Sequence, residues 1–219
     1  MKRLIAFLLF GLLMAPAVFA QNMVERFSAG QHYFAITPPV PSTAPAGKVE
    51  VIEAFSYACV HCAHFSPSVE KWRKSKPASA QFVLMPVVFN PSWEALARGF
   101  YVAEALGALP RTHEKMFNAI FVEKKQFRTL EDIAKWYAGH GVDEKKFLAT
   151  AKSFAVNAKI KRSTDLAQRF QVDGTPTVIV AGKYRITGAS AGDYDTLWQI
   201  VDFLVARELA SKPAATARR

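Results

Sequence analysis

The sequence predicts an α/β fold: a strand-helix-strand unit, then a long helical stretch, then a closing β-hairpin and helix. Three observations carry it. Positions 48–57, KVEVIEAFSY, and 81–89, QFVLMPVVF, are β-rich runs with apolar residues on both alternating sets, separated by a helical pattern over 60–75. From 92 to 170 only helical periodicity is present. After Gly174-Thr175-Pro176 strand character returns in TVIVAGKYRIT, and an amphipathic helix follows from Asp193.

The chain has 219 residues and opens on Met1-Lys2-Arg3 and an apolar run from Leu4 to Leu13 that leads to Val18-Phe19-Ala20. A positive start, a short apolar core and a small-x-small site make residues 1–20 a secretory signal peptide. The core is too short for an anchor, and no later stretch approaches the roughly 20 apolar residues a membrane span needs. The mature protein is therefore expected to be soluble and exported. Its formal charge of +10 falls by two once Lys2 and Arg3 are removed. The cations alternate with acids, as in Asp143-Glu144-Lys145-Lys146, which is a solvated face and gives no footprint for nucleic acid.

A short strand at His32 to Ile36 runs into Pro38, Pro39, Pro41 and Pro45, so it reads as an edge strand followed by a surface loop. The first central strand ends where the helix of 60–75 begins; Phe65, Val69 and Trp72 share one face, and Pro67 is expected to kink that helix without ending it. The unit from 21 to 91 is the first part of the α/β domain, 92–170 an inserted helical domain of four or five helices, 171–211 the second part, and 212–219 a flexible tail. Within the insertion Thr129 and Asp143 are N-caps, Gly139 and Gly141 terminators, and Phe147, Ala151 and Phe154 continue one apolar stripe. Ala181-Gly182-Lys183 turns the hairpin.

At the first strand-to-helix junction stands EAFSYACVHCAHF, which holds both cysteines of the chain, Cys59 and Cys62. Such a pair can be a staple, a metal grip or a redox reagent. A bridge closing so small a loop removes little unfolded-chain entropy. A zinc site needs about four ligands, and beside His61 and His64 the remaining histidines, His32, His113 and His140, are isolated; a carrier using Cys59, Cys62 and one histidine is the surviving metal reading. The redox reading uses the placement itself: a cysteine at a helix N-terminus meets unpaired N–H groups and the positive end of the helix dipole. Cys59 is then the exposed thiolate, Cys62 the shielded resolving thiol one turn deeper, and His61 a source of positive charge or a hydrogen bond.

The segments GQHYFAI, VEVIEAFSYACVHC and VDGTPTVIV, with the helical stretch between them, resemble the DsbA family of periplasmic thiol:disulfide oxidoreductases. The resemblance implies a thioredoxin fold with a helical domain inserted between the N-terminal β-α-β unit and the C-terminal β-hairpin-α unit. It also implies that Cys59 forms the mixed disulfide, Cys62 resolves it, Pro176 is a cis-proline facing the pair, and Glu53 handles protons for Cys62. Thr175 would pair its backbone with an extended client segment, and Val60, with Pro176, would line the docking surface.

Two departures bear on redox poise and partner choice: Val60 stands between the cysteines where the best-known family pattern has proline, and Thr175 where many members have valine. Threonine there also occurs in the isomerase branch, but about 28 residues between the cleavage site and the first central strand leave no room for that branch's dimerisation domain. The implied protein is a periplasmic monomer that donates its disulfide to reduced exported proteins. A DsbB-like quinone-linked membrane protein reoxidises it, and no dissociable cofactor or metal takes part. A reductase or isomerase of the same fold and the metal carrier are the alternatives.

Overall fold

The computed structural model describes residues 26–211, so the expected signal peptide and tail lie outside the described residues. Five strands, β1 (Phe34–Ala35), β2 (Val49–Phe55), β3 (Ala80–Pro86), β4 (Thr177–Val180) and β5 (Tyr184–Thr187), form one sheet in the order β1-β5-β4-β2-β3. β2 and β3 are parallel, as the crossover through helix α1 (Val60–Ser75) requires, and β4 lies antiparallel against the other side of β2. Every residue of β2 is buried, which is why its apolar residues fall on both alternating sets.

One face of the sheet, with Val51, Val178 and Ile186, packs on Phe65, Val69 and Trp72 of α1 and on Leu197, Trp198 and Val201 of the last helix, α8 (Tyr194–Ala210). There the Trp72 and Trp198 rings stack at 4.4 Å between centroids. α1 runs through Pro67 without ending. The opposite face, with Ile52, Ala54 and Ile179, is covered by Ile36 and Val40 of the proline loop and by Ala167 and Phe170.

Five helices, α2 (Glu94–Ala105), α3 (Leu109–Phe121), α4 (Leu130–Ala138), α5 (Glu144–Ala151) and α6 (Phe154–Arg169), connect β3 to β4. The Thr129 hydroxyl and the Asp132 carboxylate form a reciprocal capping box at the start of α4, and Asp143 caps α5 by accepting from the Lys146 N–H at 2.7 Å. Gly139 and Gly141 close α4, the latter at φ +79°. The core of this bundle, with Phe100, Met116, Ile133, Tyr137 and Phe147, is continuous with Phe55, Tyr57 and Cys62 at the end of β2. The insertion therefore packs directly behind the cysteine motif.

Three local expectations differ from the structure. Phe154 does not continue the stripe of α5: Ser153 caps a new helix, and Phe154, its first residue, is 88% exposed. The first strand is only two residues long, Phe34–Ala35, although the Ile36 N–H still donates to the Lys183 carbonyl before the proline loop begins. β3 stops at Pro86, after which Asn90 caps a single 3-10 turn at Pro91–Trp93.

The three-residue β4–β5 loop, Ala181 to Lys183, carries Ala181 and Gly182 in the left-handed region at φ +56° and +65°. A Cβ on Gly182 would overlap the Val40 carbonyl, in a place where the Val40 N–H already donates to the Gly182 carbonyl at 2.9 Å. Gly182→Ala is therefore expected to destabilise the protein by about 2 kcal/mol or more. The effect should read as a lower denaturant midpoint with an unchanged slope.

Candidate active site

Phe55 ends β2, Ser56 folds the chain back, and the Cys59 N–H donates to the Ser56 carbonyl at 3.1 Å. Cys59 is the N-cap of α1, so its sulfur stands at the end of the helix where backbone N–H groups are unspent. Cys62, one turn on, is fully buried, whereas Cys59 is partly exposed; both are free thiols in this structure. The same three-residue spacing thus gives two sulfurs in opposite environments.

Several donors converge on Cys59 and hold its thiol down to about 5. The largest effect is a hydrogen bond from the Cys62 thiol, followed by the Thr175 side chain and the backbone N–H groups of Cys62 and His61, against a partial burial that opposes ionisation. When protonated, Cys59 donates to the Thr175 backbone carbonyl at 3.3 Å, a contact that favours the thiol; the donors outnumber it. Burial, and then the bond to Cys59, push the Cys62 thiol far above its ordinary range. The group of His61 that reaches the sulfur is its backbone N–H, while its exposed side chain lines the adjoining groove.

Glu53 lies in the middle of β2 and is buried. Burial, then the charges of Glu114 and Glu70, raise its carboxyl to about 8, with Arg73 opposing and Cys59 adding a little. Glu114 comes from α3 and accepts a short hydrogen bond from the buried Ser66 of α1. Beneath the motif the Tyr57 hydroxyl meets His113 Nδ1 at 2.8 Å, and burial lowers that imidazole to about 3. Neither Glu114 nor His113 was legible as part of the site, since each lies in the insertion and only the fold brings it there. The apolar stripe around His113, with Met116 and Phe117, was the one available signal for its burial.

Across from the pair, the Thr175-Pro176 peptide is cis. The two residues share a groove of about 1170 Å³ with His61, Phe34, Arg185 and Tyr194. Val60, between the cysteines, is 40% exposed at the rim of the site. Among the described residues no three His, Cys, Asp or Glu side chains form a group that could hold a metal ion, and no helix is long and apolar enough to cross a membrane.

A partly exposed anionic sulfur paired with a buried protonated one, set against a cis-proline that lines the adjoining groove, is an arrangement for thiol-disulfide exchange. The family model for the DSBA-like thioredoxin domain matches residues 50–199. The thiol:disulfide interchange protein DsbA of Pseudomonas aeruginosa is 37% identical over 187 residues, covering 85% of this chain and 88% of that protein. The chain belongs to the DsbA family.

Solved DsbA structures agree with the sequence match. The crystal structure of Pseudomonas aeruginosa DsbA superposes with a TM-score of 0.80 at 38% identity, over 84% of this chain and 96% of that one. Oxidoreductase DsbA from Xylella fastidiosa gives 0.77 at 35% identity, over 83% and 97%. The fold is the thioredoxin-like DsbA fold with its helical insertion, and the chain is a protein thiol:disulfide oxidoreductase that works by disulfide interchange. The metal-carrier reading falls with that membership.

Proposed function

We propose that the Cys59–Cys62 disulfide is donated to reduced client proteins in the periplasm through a mixed disulfide at Cys59. A client thiolate attacks the accessible Cys59 sulfur, the Cys59–Cys62 bond breaks, and Cys62 departs as a thiolate that takes up a proton. A second client thiolate then attacks the client sulfur of the mixed disulfide. Cys59 leaves as a stabilised anion, and the client keeps the new bond. Two electrons have moved from client to protein. Glu53, buried beside Cys62 and protonated at neutral pH, is the proton source for that departing sulfur.

The contrast between the two sulfurs supports this direction of flow. Each pKa unit by which the Cys59 thiolate lies below ambient pH favours the reduced protein by about 1.4 kcal/mol, or roughly 30 mV. Cys59 is partly solvated, so the two units between about 5 and neutrality give at most about 60 mV toward oxidising power. The dithiol formed in each cycle must be reoxidised, and a DsbB-like quinone-linked membrane protein fits that need, docking on the same surface around Val60, His61, Thr175 and Pro176. The monomer is the working unit and the redox pair its own cofactor. Residues 21–91 and 171–211 carry the chemistry, and 92–170 closes the back of the site.

Cys62→Ala is the test, because it removes the resolving sulfur and leaves Cys59. Expressed with its signal peptide, this variant should accumulate client adducts that reductant releases and that Cys59→Ala abolishes. Wild-type Cys59 trapped mainly reduced in cells would instead point to a reductase or isomerase.

A further inference from the structure

The groove beside the cysteine pair contains one permanent cation, Arg185 of β5. It sits on the sheet face shared with Ile179, its cross-strand partner, and its guanidinium lies 5.1 Å over the Phe34 ring. Its Nε is buried and has no hydrogen-bond partner. The ion pair it does make, with Asp173, is 3.8 Å long, beyond hydrogen-bond reach, and the Asp173 side chain is 76% exposed. The second acid of the groove, Asp193, is spent differently: both its oxygens accept from Thr196, at 2.7 Å each, as the cap of α8. A planar donor fork is thus held against an aromatic wall at the groove, its buried Nε unpaired and its outer nitrogens making, among the described residues, only the long contact to Asp173.

We infer that Arg185 makes the groove selective for client segments that carry an aspartate or glutamate, by charge complementarity with its guanidinium. The inference rests on the client reading given above. An incoming carboxylate can accept two parallel N–H bonds from the fork, which the long contact to Asp173 does not supply. Pro176 and Ile179 are three residues apart, and Arg185 lies one strand beyond, so the acid belongs about three or four extended residues, at roughly 3.3 Å each, from the reacting client cysteine. Phe34 and the stem of Arg185 give the intervening residues an apolar wall. Solvent-facing Asp173 dampens the preference and competes for the same fork.

Reduced dithiol peptides identical but for Glu or Gln at those positions, on either side of the first cysteine, provide the probe. Their oxidation by the disulfide form of the full chain is followed by mass spectrometry of quenched samples. Wild-type protein should oxidise the best-placed Glu peptide roughly fivefold faster than its Gln partner, with the ratio shrinking as salt rises. Arg185→Met, which keeps the stem against Phe34, should bring the ratio to one, and Asp173→Asn should raise it above the wild-type value. A wild-type ratio of one at every position, or a preference that survives Arg185→Met, overturns the role of Arg185 while leaving disulfide donation standing. Failure to oxidise either peptide overturns the client reading and this inference with it.

Discussion

At about pH 7.5 the reduced protein is expected to unfold at a higher guanidinium chloride concentration than the same chain with Cys59 and Cys62 bridged, the reverse of the usual effect of a disulfide. The bridge closes a four-residue loop, so it constrains the unfolded chain little. It also abolishes the thiolate on which Cys62, Thr175 and two backbone N–H groups converge. The folded Cys59 thiol ionises at about 5 against an ordinary 9.0, a depressed value. Its contribution is therefore fully present above the unfolded value and disappears as pH falls through about 5.

Discounted for the partial solvent exposure of the sulfur, that contribution is on the order of 1–2 kcal/mol at about pH 7.5. Glu53 and His113 titrate in both redox forms and largely cancel in the difference between them. Paired denaturation curves at pH 7.5 and at about pH 4.5 check the claim: the gap between reduced and oxidised midpoints should close at the lower pH. An oxidised form that is the more stable at both would remove the stabilised thiolate, and with it the reason for electrons to flow inward.

The parts of this site that could be read in advance are those whose signals are local. Burial on both faces of β2, the stripe of Phe65, Val69 and Trp72, and the caps at Thr129 and Asp143 are each written within a few residues. Cys59 at a helix start and Cys62 a turn deeper follow from spacing alone. What the spacing could not give is the far side of the site. Thr175 contacts Cys59 from 116 residues away and His113 meets Tyr57 from 56 residues away, and only the sheet order brings them together. Family resemblance supplied the cis-proline in advance. Nothing marked Arg185, which reads as one polar residue in a short strand, or Glu114, one of the chain's 18 acids, exposed on a helix. Phe154 failed for a related reason: periodicity continues across a break, and Ser153 ends the stripe with a cap that looks like any other serine.

Glu53→Gln should abolish an alkaline loss of stability that the wild-type protein shows. A carboxyl raised to about 8 from 4.5 is held neutral in the folded state, so its effect on stability is most favourable below 4.5 and is lost as pH rises toward 8, by about 1.4 kcal/mol per unit. His113 acts in the opposite sense. Its value is lowered to about 3 from 6.5, so stability falls as pH drops through that window, and between 4.5 and 6.5 the two slopes offset each other.

The clean window lies from pH 6.5 to 8 in the disulfide form, where neither cysteine can titrate. Wild-type protein should lose about 2 kcal/mol across it, and Glu53→Gln should be flat, whatever constant penalty the buried amide adds. Glu114→Gln should shrink the loss and end it at lower pH, since removing that like charge lowers the Glu53 value toward its ordinary range and less of the loss then falls within the window. A Glu53→Gln slope equal to that of the wild type would mean that the buried carboxyl is already ionised at neutral pH. The functional consequence is tied to the same proton. A Glu53 that is neutral at pH 7 has a hydrogen to give when Cys62 leaves the disulfide, so formation of the mixed disulfide should slow as pH rises through about 8 and should lose that dependence in Glu53→Gln. The alkaline instability and the proton supply are then one property of one buried acid, and a variant that cures the first must forfeit the second.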